Sequence, residues 1–539
     1  MITAATVFDA FADSAARWPE RPFLNVLPET AGVYGIDDGE IGYAEASSIV
    51  AAQKQQLMET GYVKGQRVML LLENRPDYFL WWLACNALGI SVVPVNPDLR
   101  QAELAYMIGH AEPVLAISIP SRVGDLRNAA REAGSAMPVV PLGTALPNAI
   151  TQDAIAARDA EAALLYTSGT TGQPKGCILT NAYFIEAGRW YSTATGICAL
   201  NTDGERMITP LPIFHMNAMA YSFMAMVAVG GCLTALDRFH PRTWWASVRD
   251  SKATCLHYLG VMPSMLMGAN PSPQDRDHSV RFGFGAGIDP KLHAPFEDRF
   301  GFPLSEGWAM TETGAGGTIC ANREPRNVGT SCIGAPDDKV EARLVDDQGQ
   351  DADQGELLVR AAGEDPRRGF FAGYFKNPQA TAEAWKDGWF HTGDIVRRAA
   401  DGTMYFVDRK KNVIRRSGEN IAAVEVESVL AKHPSIAQVA VAAVPDAVRG
   451  DEVFACIVLA ENEAVPAGTD YVKLAKRITL WCLDQLAYYK APGYIAFLDS
   501  LPVTATQKLQ RGELKKMATD LLDDPGTIDT RPLKKRTAA

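Results

Sequence analysis

The sequence lacks the features of disulfide-bonded, secreted or nucleic-acid-binding proteins. Its nine cysteines are scattered, and no two have C-x-x-C spacing, so they are predicted to be reduced, mostly buried residues of a cytoplasmic protein. Acidic side chains outnumber basic ones by 63 to 52, so no global basic field would attract a nucleic acid. The N-terminus lacks a basic segment followed by an apolar run, and it is predicted to form an amphipathic helix rather than a signal peptide.

One stretch without charged residues, 216–236, is long enough to cross a bilayer. It contains Asn217 and Tyr221, and Gly230 and Gly231 interrupt it near its end. The sequence therefore predicts no membrane span here, but a buried helix followed by a buried strand.

Apolar, β-rich runs alternate with helical patterns early in the chain, the runs being residues 68–72, 90–95 and 114–118. This alternation predicts βαβ units with parallel strands buried on both faces. Residues 339–360 have a strand–turn–strand pattern, which predicts an antiparallel element. Beyond residue 408, a charged loop is followed by helical and strand patterns sufficient for a separate small domain.

The predicted fold class is therefore α/β. A large N-terminal domain has βαβ-type sheets flanked by helices plus an antiparallel β element, and a small C-terminal domain is α+β. The predicted boundaries are 1–408 for the large domain, 409–412 for a hinge, 413–525 for the small domain and 526–539 for a tail. The basic, polar residues from 531 onward predict a disordered end.

A dense cluster of glycines and hydroxyls follows an apolar strand, in the run Leu-Tyr-Thr-Ser-Gly-Thr-Thr-Gly-Gln-Pro-Lys-Gly at 165–176. Glycines let the backbone approach a ligand, hydroxyls and amides donate to phosphate oxygens, and Lys175 supplies positive charge. The spacing of a Walker A loop is absent. The run is predicted to bind phosphate, with a Thr- and Gly-rich surface loop as the alternative.

Four further motifs follow in order, at residues 306–313, 387–394, 405–420 and 501–509. Together these motifs resemble the adenylate-forming enzyme superfamily, which includes acyl-CoA synthetases, peptide-synthetase adenylation domains and firefly luciferase. The resemblance extends from about residue 10 to residue 515. The His-Met-Asn-Ala run at 215 and the Arg-Arg-Ser-Gly-Glu-Asn run at 415 look most like the branch of crotonobetaine/carnitine-CoA ligase and other small-acid CoA ligases.

The resemblance implies a nucleotide site in the large domain. Thr167, Ser168, Gly169, Thr170, Thr171, Gly172 and Lys175 would hold the β- and γ-phosphates of ATP. Further contacts are implied for Gly285, Ala286 and Gly287 beside the adenine and acyl group, Trp308 stacked on the adenine, Thr311 at the α-phosphate, and Asp394 with Arg409 at the ribose. Glu312 would bind Mg²⁺, and Lys508 would bridge the acid's carboxylate and the α-phosphate. A metal and a lysine suit this reaction because it brings two anions together.

The resemblance also implies an acyl site and a thiol path. His215 would gate the carboxylate pocket, without an assigned acid–base role. Asn217, Tyr221 and Gly287 are candidate pocket residues for a small or partly polar acyl group. In the small, mobile domain, Arg415 and Gly418 would lie beside the thiol tunnel, and Arg415 with Arg416 could pair with CoA phosphates. Lys411 matches the family's hinge position.

Some positions depart from the family's pattern. Gln507 replaces the usual Gly before the lysine, Glu306 stands where Gln or Asn is common, and Asn217-Ala218 replaces a frequent Gly. His215 follows Phe214 where amino-acid adenylation domains have an acidic residue, which disfavours an α-amino acid substrate.

These observations predict an AMP-forming acid–thiol ligase that uses ATP, Mg²⁺ and a small carboxylic acid, with coenzyme A as the acyl acceptor. A ligase that loads a separate carrier protein is one alternative, and a non-catalytic nucleotide-binding module is another. Glu312, Asp394, Arg409 and Lys508 together disfavour the latter. The acid and the oligomeric state are left open, a homodimer among the options.

Overall fold

The structure is a computed structural model that describes residues 3–151, 153–154, 158, 160–167, 173–346, 348–409, 413–460, 470–502 and 509–535. Within these ranges the α-helices are α1 (Val7–Arg17), α2 (Pro28–Tyr34), α3 (Tyr43–Glu59), α4 (Pro76–Asn86), α5 (Gln101–Ala111), α6 (Val123–Glu132), α7 (Asn181–Ser192), α8 (Phe223–Val229), α9 (Trp244–Asp250), α10 (Val261–Met267), α11 (Pro290–Phe300), α12 (Pro378–Ala384), α13 (Ala423–Leu430), α14 (Tyr471–Gln485) and α15 (Arg511–Asp520).

The strands up to the middle of the chain are β1 (Pro22–Val26), β2 (Gly39–Gly42), β3 (Arg67–Leu71), β4 (Ser91–Pro94), β5 (Leu115–Ser118), β6 (Val139–Pro141), β7 (Glu161–Thr167), β8 (Lys175–Thr180), β9 (Arg206–Thr209), β10 (Cys232–Ala235), β11 (Cys255–Leu259), β12 (Phe282–Ala286), β13 (Leu304–Trp308) and β14 (Ile319–Cys320). Those that follow are β15 (Cys332–Gly334), β16 (Val340–Val345), β17 (Gln354–Ala361), β18 (Gly373–Tyr374), β19 (Trp385–Lys386), β20 (Trp389–Arg398), β21 (Met404–Arg409), β22 (Val413–Arg416), β23 (Glu419–Ala422), β24 (Ile436–Asp446), β25 (Gly450–Leu459), β26 (Tyr494–Phe497) and β27 (Ile528–Asp529).

The large domain contains three sheets. The first has the strand order β14-β13-β12-β11-β9-β10-β1-β2, and its strands from β13 to β1 are parallel. The second has the order β18-β8-β7-β4-β3-β5-β6, with a parallel part from β7 to β6. The third is antiparallel and has the order β15-β21-β20-β17-β16. The α/β fold class predicted from the sequence is confirmed.

The small domain has a sheet of order β23-β22-β25-β26-β27, with β24 paired to β25. Side chains of β25 alternate between two apolar clusters, as the strand period of two requires. Ala455 and Ile457 pack with α13 and α14, whereas Phe454 and Cys456 pack with α15. Both faces of this sheet are therefore covered by helices.

Local signals in the sequence determine where elements begin and end. The Asp289 side chain accepts a hydrogen bond from the Lys291 amide at the start of α11, Pro290 occupies the first helical position, and Gly301 ends the helix at φ +82°. The charge-free run forms a π-helical turn (Asn217–Ser222), then α8 and β10, which confirms the predicted buried helix and strand. Among the described residues, no helix combines the length and hydropathy needed to cross a membrane.

One expectation is wrong for the end of the chain. Residues 531–535, predicted to be disordered, follow the edge strand β27 and form a 3₁₀ turn (Arg531–Leu533) that packs on the small domain. Basic residues at a chain end are usually solvated, but here Arg531 forms an ion pair with Asp529, and Lys534 contacts Glu452.

Candidate active site

The predicted site residues of the first sheet lie at the carboxyl ends of its parallel strands. Gly285 and Ala286 end β12, Trp308 ends β13, and Thr311 lies three residues beyond the end of β13. Ligands of open α/β sheets bind at this edge, because loops leaving adjacent strands enclose a crevice there. The fold therefore brings together segments separated widely in the sequence.

The glycine- and hydroxyl-rich run connects two antiparallel strands. Thr167 at the end of β7 pairs in register with Lys175 at the start of β8, and the Lys175 ammonium lies 4.8 Å from the Tyr374 ring centroid. The predicted phosphate contacts Ser168, Gly169, Thr170, Thr171 and Gly172 lie outside the described residues.

Glu312, the predicted metal ligand, lies beside the base of that hairpin. Its side chain is buried, and its Oε1 accepts hydrogen bonds from the Tyr374 hydroxyl at 2.8 Å and the Thr167 hydroxyl at 3.5 Å. Burial and the nearby carboxylate raise the pKa of Tyr374, so this hydroxyl stays a donor. Tyr374 lies in none of the motifs, so its contact with Glu312 was not predicted from the sequence.

The donor set at Glu312 fits a hard cation. In the part of the chain that the structure describes, no group of three His, Cys, Asp or Glu side chains could hold a metal. Mg²⁺ is usually held by one or two carboxylates together with substrate phosphates rather than by a protein cage. Glu312, next to the predicted phosphate loop, matches that pattern.

Trp308 and Asp394 form a direct pair. The indole Nε1–H of Trp308 donates to Asp394 Oδ2 at 2.8 Å, and both residues are buried. Asp394 on β20 is paired with Arg409 on β21, so the two residues predicted to contact the ribose are cross-strand neighbours.

Glycines at the end of β12 permit close backbone packing. A Cβ at Gly285 would lie 2.2 Å from the Tyr258 carbonyl oxygen, and Gly287 has φ +80°. The buried Glu306 carboxylate accepts from the Gly287 amide at 2.8 Å and from the Tyr258 hydroxyl at 2.5 Å. Burial raises the pKa of Glu306. The unusual acid therefore secures the Gly285–Gly287 backbone.

The candidate acyl residue Asn217 belongs to a polar network around His257, which the sequence analysis also missed. His257 is fully buried, and burial lowers its pKa to about 3. Its Nδ1 lies 2.7 Å from Asn217 Oδ1 and 2.8 Å from the Ser222 hydroxyl, and its Nε2 lies 3.0 Å from the Tyr191 hydroxyl. The neutral ring fits a tautomer in which Nδ1–H donates to Asn217 and Nε2 accepts from Tyr191.

Tyr221, a second candidate acyl residue, is 2% exposed and lies in an aromatic cluster. Its ring centroid is 5.4 Å from that of Trp190 and 6.1 Å from that of Phe284, and its hydroxyl is hydrogen-bonded to Thr318. These contacts hold the Tyr221 side chain inside the large domain.

The small domain meets the large domain at His215 and Leu259. The His215 Nε2 lies 3.3 Å from Glu419 Oε2, and a Cβ on Gly418, whose φ is +92°, would lie 2.3 Å from Leu259 Cδ1. The structure thus brings the predicted gate and the predicted tunnel glycine together.

The two arginines before this turn differ in environment. Arg415 is exposed, whereas Arg416 is 2% exposed and donates through Nε to both Glu452 oxygens at 2.8 and 2.9 Å. The suggestion that Arg416 pairs with CoA phosphates is therefore wrong, because its charge is already engaged inside the small domain.

Two predicted residues, Lys411 and Lys508, lie outside the described residues, as does the side chain of Arg409. The segments that flank Lys508 are described, and Leu501 and Leu509 pack with α15. The Gly418 turn instead follows β22, whose Ile414 packs in the cluster of α13 and α14. The described residues on either side of Lys508 and the strand before Gly418 therefore pack in different apolar clusters of the small domain.

A cleft of about 680 Å³ separates the domains next to the Gly418 turn. It is lined from the large domain by Pro210, Leu211, Pro212, Phe214 and Leu259, and from the small domain by Arg416, Ser417, Glu419, Tyr488 and Tyr489.

Known proteins share this architecture over nearly its whole length. Crotonobetaine/carnitine–CoA ligase of Salmonella arizonae is 28% identical over 509 residues, 90% of this chain and 96% of that protein. Sulfoacetate–CoA ligase of Cupriavidus necator is 32% identical over 537 residues, 95% of this chain and 98% of that protein. The solved o-succinylbenzoate CoA synthetase of Bacillus subtilis superposes with a TM-score of 0.78 at 25% identity, covering 94% of this chain and 98% of that one.

Family profiles match both parts of the chain. The AMP-binding enzyme profile covers residues 11–375, and the profile of the AMP-binding enzyme C-terminal domain covers residues 425–508. The family resemblance inferred from the motifs is thereby confirmed, and the chain belongs to the AMP-binding enzyme family.

Proposed function

We propose that this enzyme converts a small, polar carboxylic acid, ATP and coenzyme A into an acyl-CoA thioester, AMP and pyrophosphate. The observation that carries the proposal is the convergence of Glu312, Trp308 and Asp394 at the carboxyl edge of the sheet, with the Gly418 turn placed against Leu259. A binding module would have no need of a second domain that places a glycine turn against the nucleotide domain.

The first half-reaction forms the acyl-adenylate. The acid's carboxylate oxygen attacks the α-phosphorus of ATP, the bond to the β-phosphate oxygen breaks, and pyrophosphate leaves. Trp308 and Asp394 would orient the nucleoside, and Lys508 would neutralise charge between the two anions. When bound at Glu312, Mg²⁺ would offset phosphate charge.

The second half-reaction forms the thioester. The thiol sulfur of CoA attacks the acyl carbon and loses its proton to water, the bond between the acyl carbon and the phosphate oxygen breaks, and AMP leaves with the electron pair. A glycine at position 418 supports a narrow path, since no side chain would occupy the space next to Leu259. The neighbouring interdomain cleft of about 680 Å³ falls within the usual range of about 300–1,000 Å³ for ligand pockets.

The acyl group is proposed to carry a hydrogen-bond acceptor. His257 is neutral and engages Asn217 Oδ1, which leaves the Asn217 amide hydrogens available on the half-buried side of the π-helical turn. Two of the relatives are named for polar acids, which agrees with this choice. Asn217→Ala should lower kcat/KM for 3-hydroxybutyrate about tenfold and leave that for butyrate unchanged. An equal loss on both acids would contradict it.

The proposed reaction is tested by pyrophosphate release over a panel of carboxylic acids with ATP and Mg²⁺, with and without CoA, together with loss of free thiol. Lys508→Ala should slow acyl-adenylate formation about 10²–10³-fold and still convert a supplied acyl-AMP to the thioester. Lys516→Ala, an exposed lysine on α15, is the matched control. Pyrophosphate release without thiol loss for any acid would instead favour a carrier protein as acceptor.

A further inference from the structure

Residues 528–535, the last that the structure describes, are built into the small domain. Strand β27 pairs antiparallel with β26, and the Thr530 amide donates to the Gly493 carbonyl at 2.9 Å. Arg531 lies over the Tyr494 ring at 4.6 Å, which adds a cation–π contact on the same edge. Within this C-terminal segment, residues 528–535, the part that precedes Lys534 is thereby held against β26.

Lys534 extends from this segment into a buried charge cluster. Its Nζ lies 2.5 Å from Glu452 Oε1, and the Glu452 carboxylate also accepts hydrogen bonds from Arg416 Nε and from the Val453 amide. The side chains of Lys534, Glu452 and Arg416 are 1%, 0% and 2% exposed. A carboxylate this deeply buried requires cationic partners, so removing one of them strains the geometry of the rest.

The cluster joins the two surfaces of the small domain that face the large domain. Arg416 ends β22 two residues before Gly418, and Lys534 Nζ also donates to the Tyr489 carbonyl at 3.4 Å. The Tyr489 hydroxyl accepts from Asn96 Nδ2 of the large domain at 3.0 Å. Lys534 therefore connects the glycine turn to the loop that docks on the large domain.

We propose that Lys534 is a positioning residue for acyl transfer to the thiol: by holding Arg416 and Tyr489, it fixes the Gly418 turn against Leu259. The proposal rests on the proposed function. Formation of the acyl-adenylate is expected to be independent of this cluster, because its contacts lead to Arg416 at the end of β22 and to Tyr489. The described residues that flank Lys508, Leu501 and Leu509, pack instead with α15.

Lys534→Met tests the proposal, because it nearly keeps the length of the side chain and removes the Nζ donor to Glu452 and Tyr489. The two half-reactions are measured separately, as pyrophosphate release from ATP and as thioester formation from supplied acyl-AMP and CoA. Thioester formation should fall about 10- to 100-fold, since small misplacements of reacting groups have effects of this size. Pyrophosphate release should remain within about twofold. Lys534→Arg should restore transfer, and Lys535→Met, at an exposed neighbour, should change neither half-reaction.

The outcomes separate this proposal from the proposed function. If the wild-type enzyme forms no thioester with CoA, the proposed function fails whatever the variant does. If the wild type forms it and Lys534→Met transfers at the wild-type rate, the positioning role is overturned. Equal losses in both half-reactions would also overturn it, because the cluster would then serve only to fold the domain.

Discussion

Each of the two carboxylates assigned to the active site accepts a hydrogen bond from an aromatic side chain. Tyr374 donates to Glu312, and Trp308 donates to Asp394. A rigid ring fixes the direction of its hydrogen bond, so each carboxylate is held in one orientation. These donors prepare the site before the nucleotide arrives.

Trp308→Phe should isolate that effect, since the ring face is kept and the N–H is lost. The KM for ATP is expected to rise about tenfold, because a hydrogen bond to a charged group contributes about 1.5–3 kcal/mol. Discrimination between ATP and 2′-deoxy-ATP should shrink at the same time. Pyrophosphate-release kinetics with both nucleotides measure this, and unchanged discrimination would show that Trp308 does not act through Asp394.

His257 should make the large domain sensitive to acid. Its folded pKa of about 3 lies below the ordinary value of 6.5, so between these values the unfolded chain binds a proton that the folded one excludes. Its contribution is complete above pH 6.5 and is lost by about 1.4 kcal/mol per pH unit as the pH falls toward 3. Calorimetry from pH 7 to 5 should show a shallower fall in Tm for His257→Gln. Parallel curves would contradict this.

At the scale of elements, the site depends on strand order more than on any single motif. Strand β12 lies between β11 and β13, so the glycines at the end of β12 lie beside Tyr258 of β11 and Glu306 of β13. The periodicity of the sequence predicted the earlier parallel strands but not these three, and the motifs supplied Glu312, Trp308 and Asp394. Tyr374, His257 and Lys534 could not be predicted, because each acts through partners far away in the sequence.

Gly418→Ala should separate the two half-reactions. The added Cβ would lie 2.3 Å from Leu259 Cδ1 only while the turn faces the large domain, so thioester formation should fall at least about tenfold and acyl-adenylate formation should persist. Gly402→Ala is the matched control, because Gly402 has φ +85° and an added Cβ would meet nothing within 4 Å. The second substitution Leu259→Ala should recover part of the loss; no recovery would exclude the contact as its cause.

At the scale of the whole molecule, a buried lysine joins the two domains. Lys490 Nζ lies 2.7 Å from Glu103 Oε1 of the large domain and 2.7 Å from Glu425 Oε1 of the small one. Burial alone would lower the pKa of Lys490, but the two carboxylates raise it above its ordinary value. Glu103 also accepts from the Ala487 amide at 3.0 Å. Rotation of the small domain would remove one of the two anionic partners.

Glu103→Gln should therefore weaken the present arrangement without unfolding either domain, since Lys490 keeps Glu425. Thioester formation is expected to fall at least about tenfold, as loss of one partner of a buried charge pair does elsewhere, and acyl-adenylate formation should be maintained. Rapid-quench measurement of each step tests this. Glu132→Gln, at an exposed position, serves as control. Wild-type rates in both steps would mean that the pair does not hold the domains in this orientation.

The register of β20 and β21 has a consequence for the timing of the cycle. Arg409 pairs with Asp394, and β21 ends at Arg409, the first residue of the predicted hinge. Under the proposed function, a nucleotide bound by Asp394 restrains β21, the strand after which the small domain rotates. By thermodynamic linkage, an orientation of the small domain that raises the affinity for the nucleotide is itself stabilised when the nucleotide is bound. Departure of AMP therefore resets the enzyme for its next turnover.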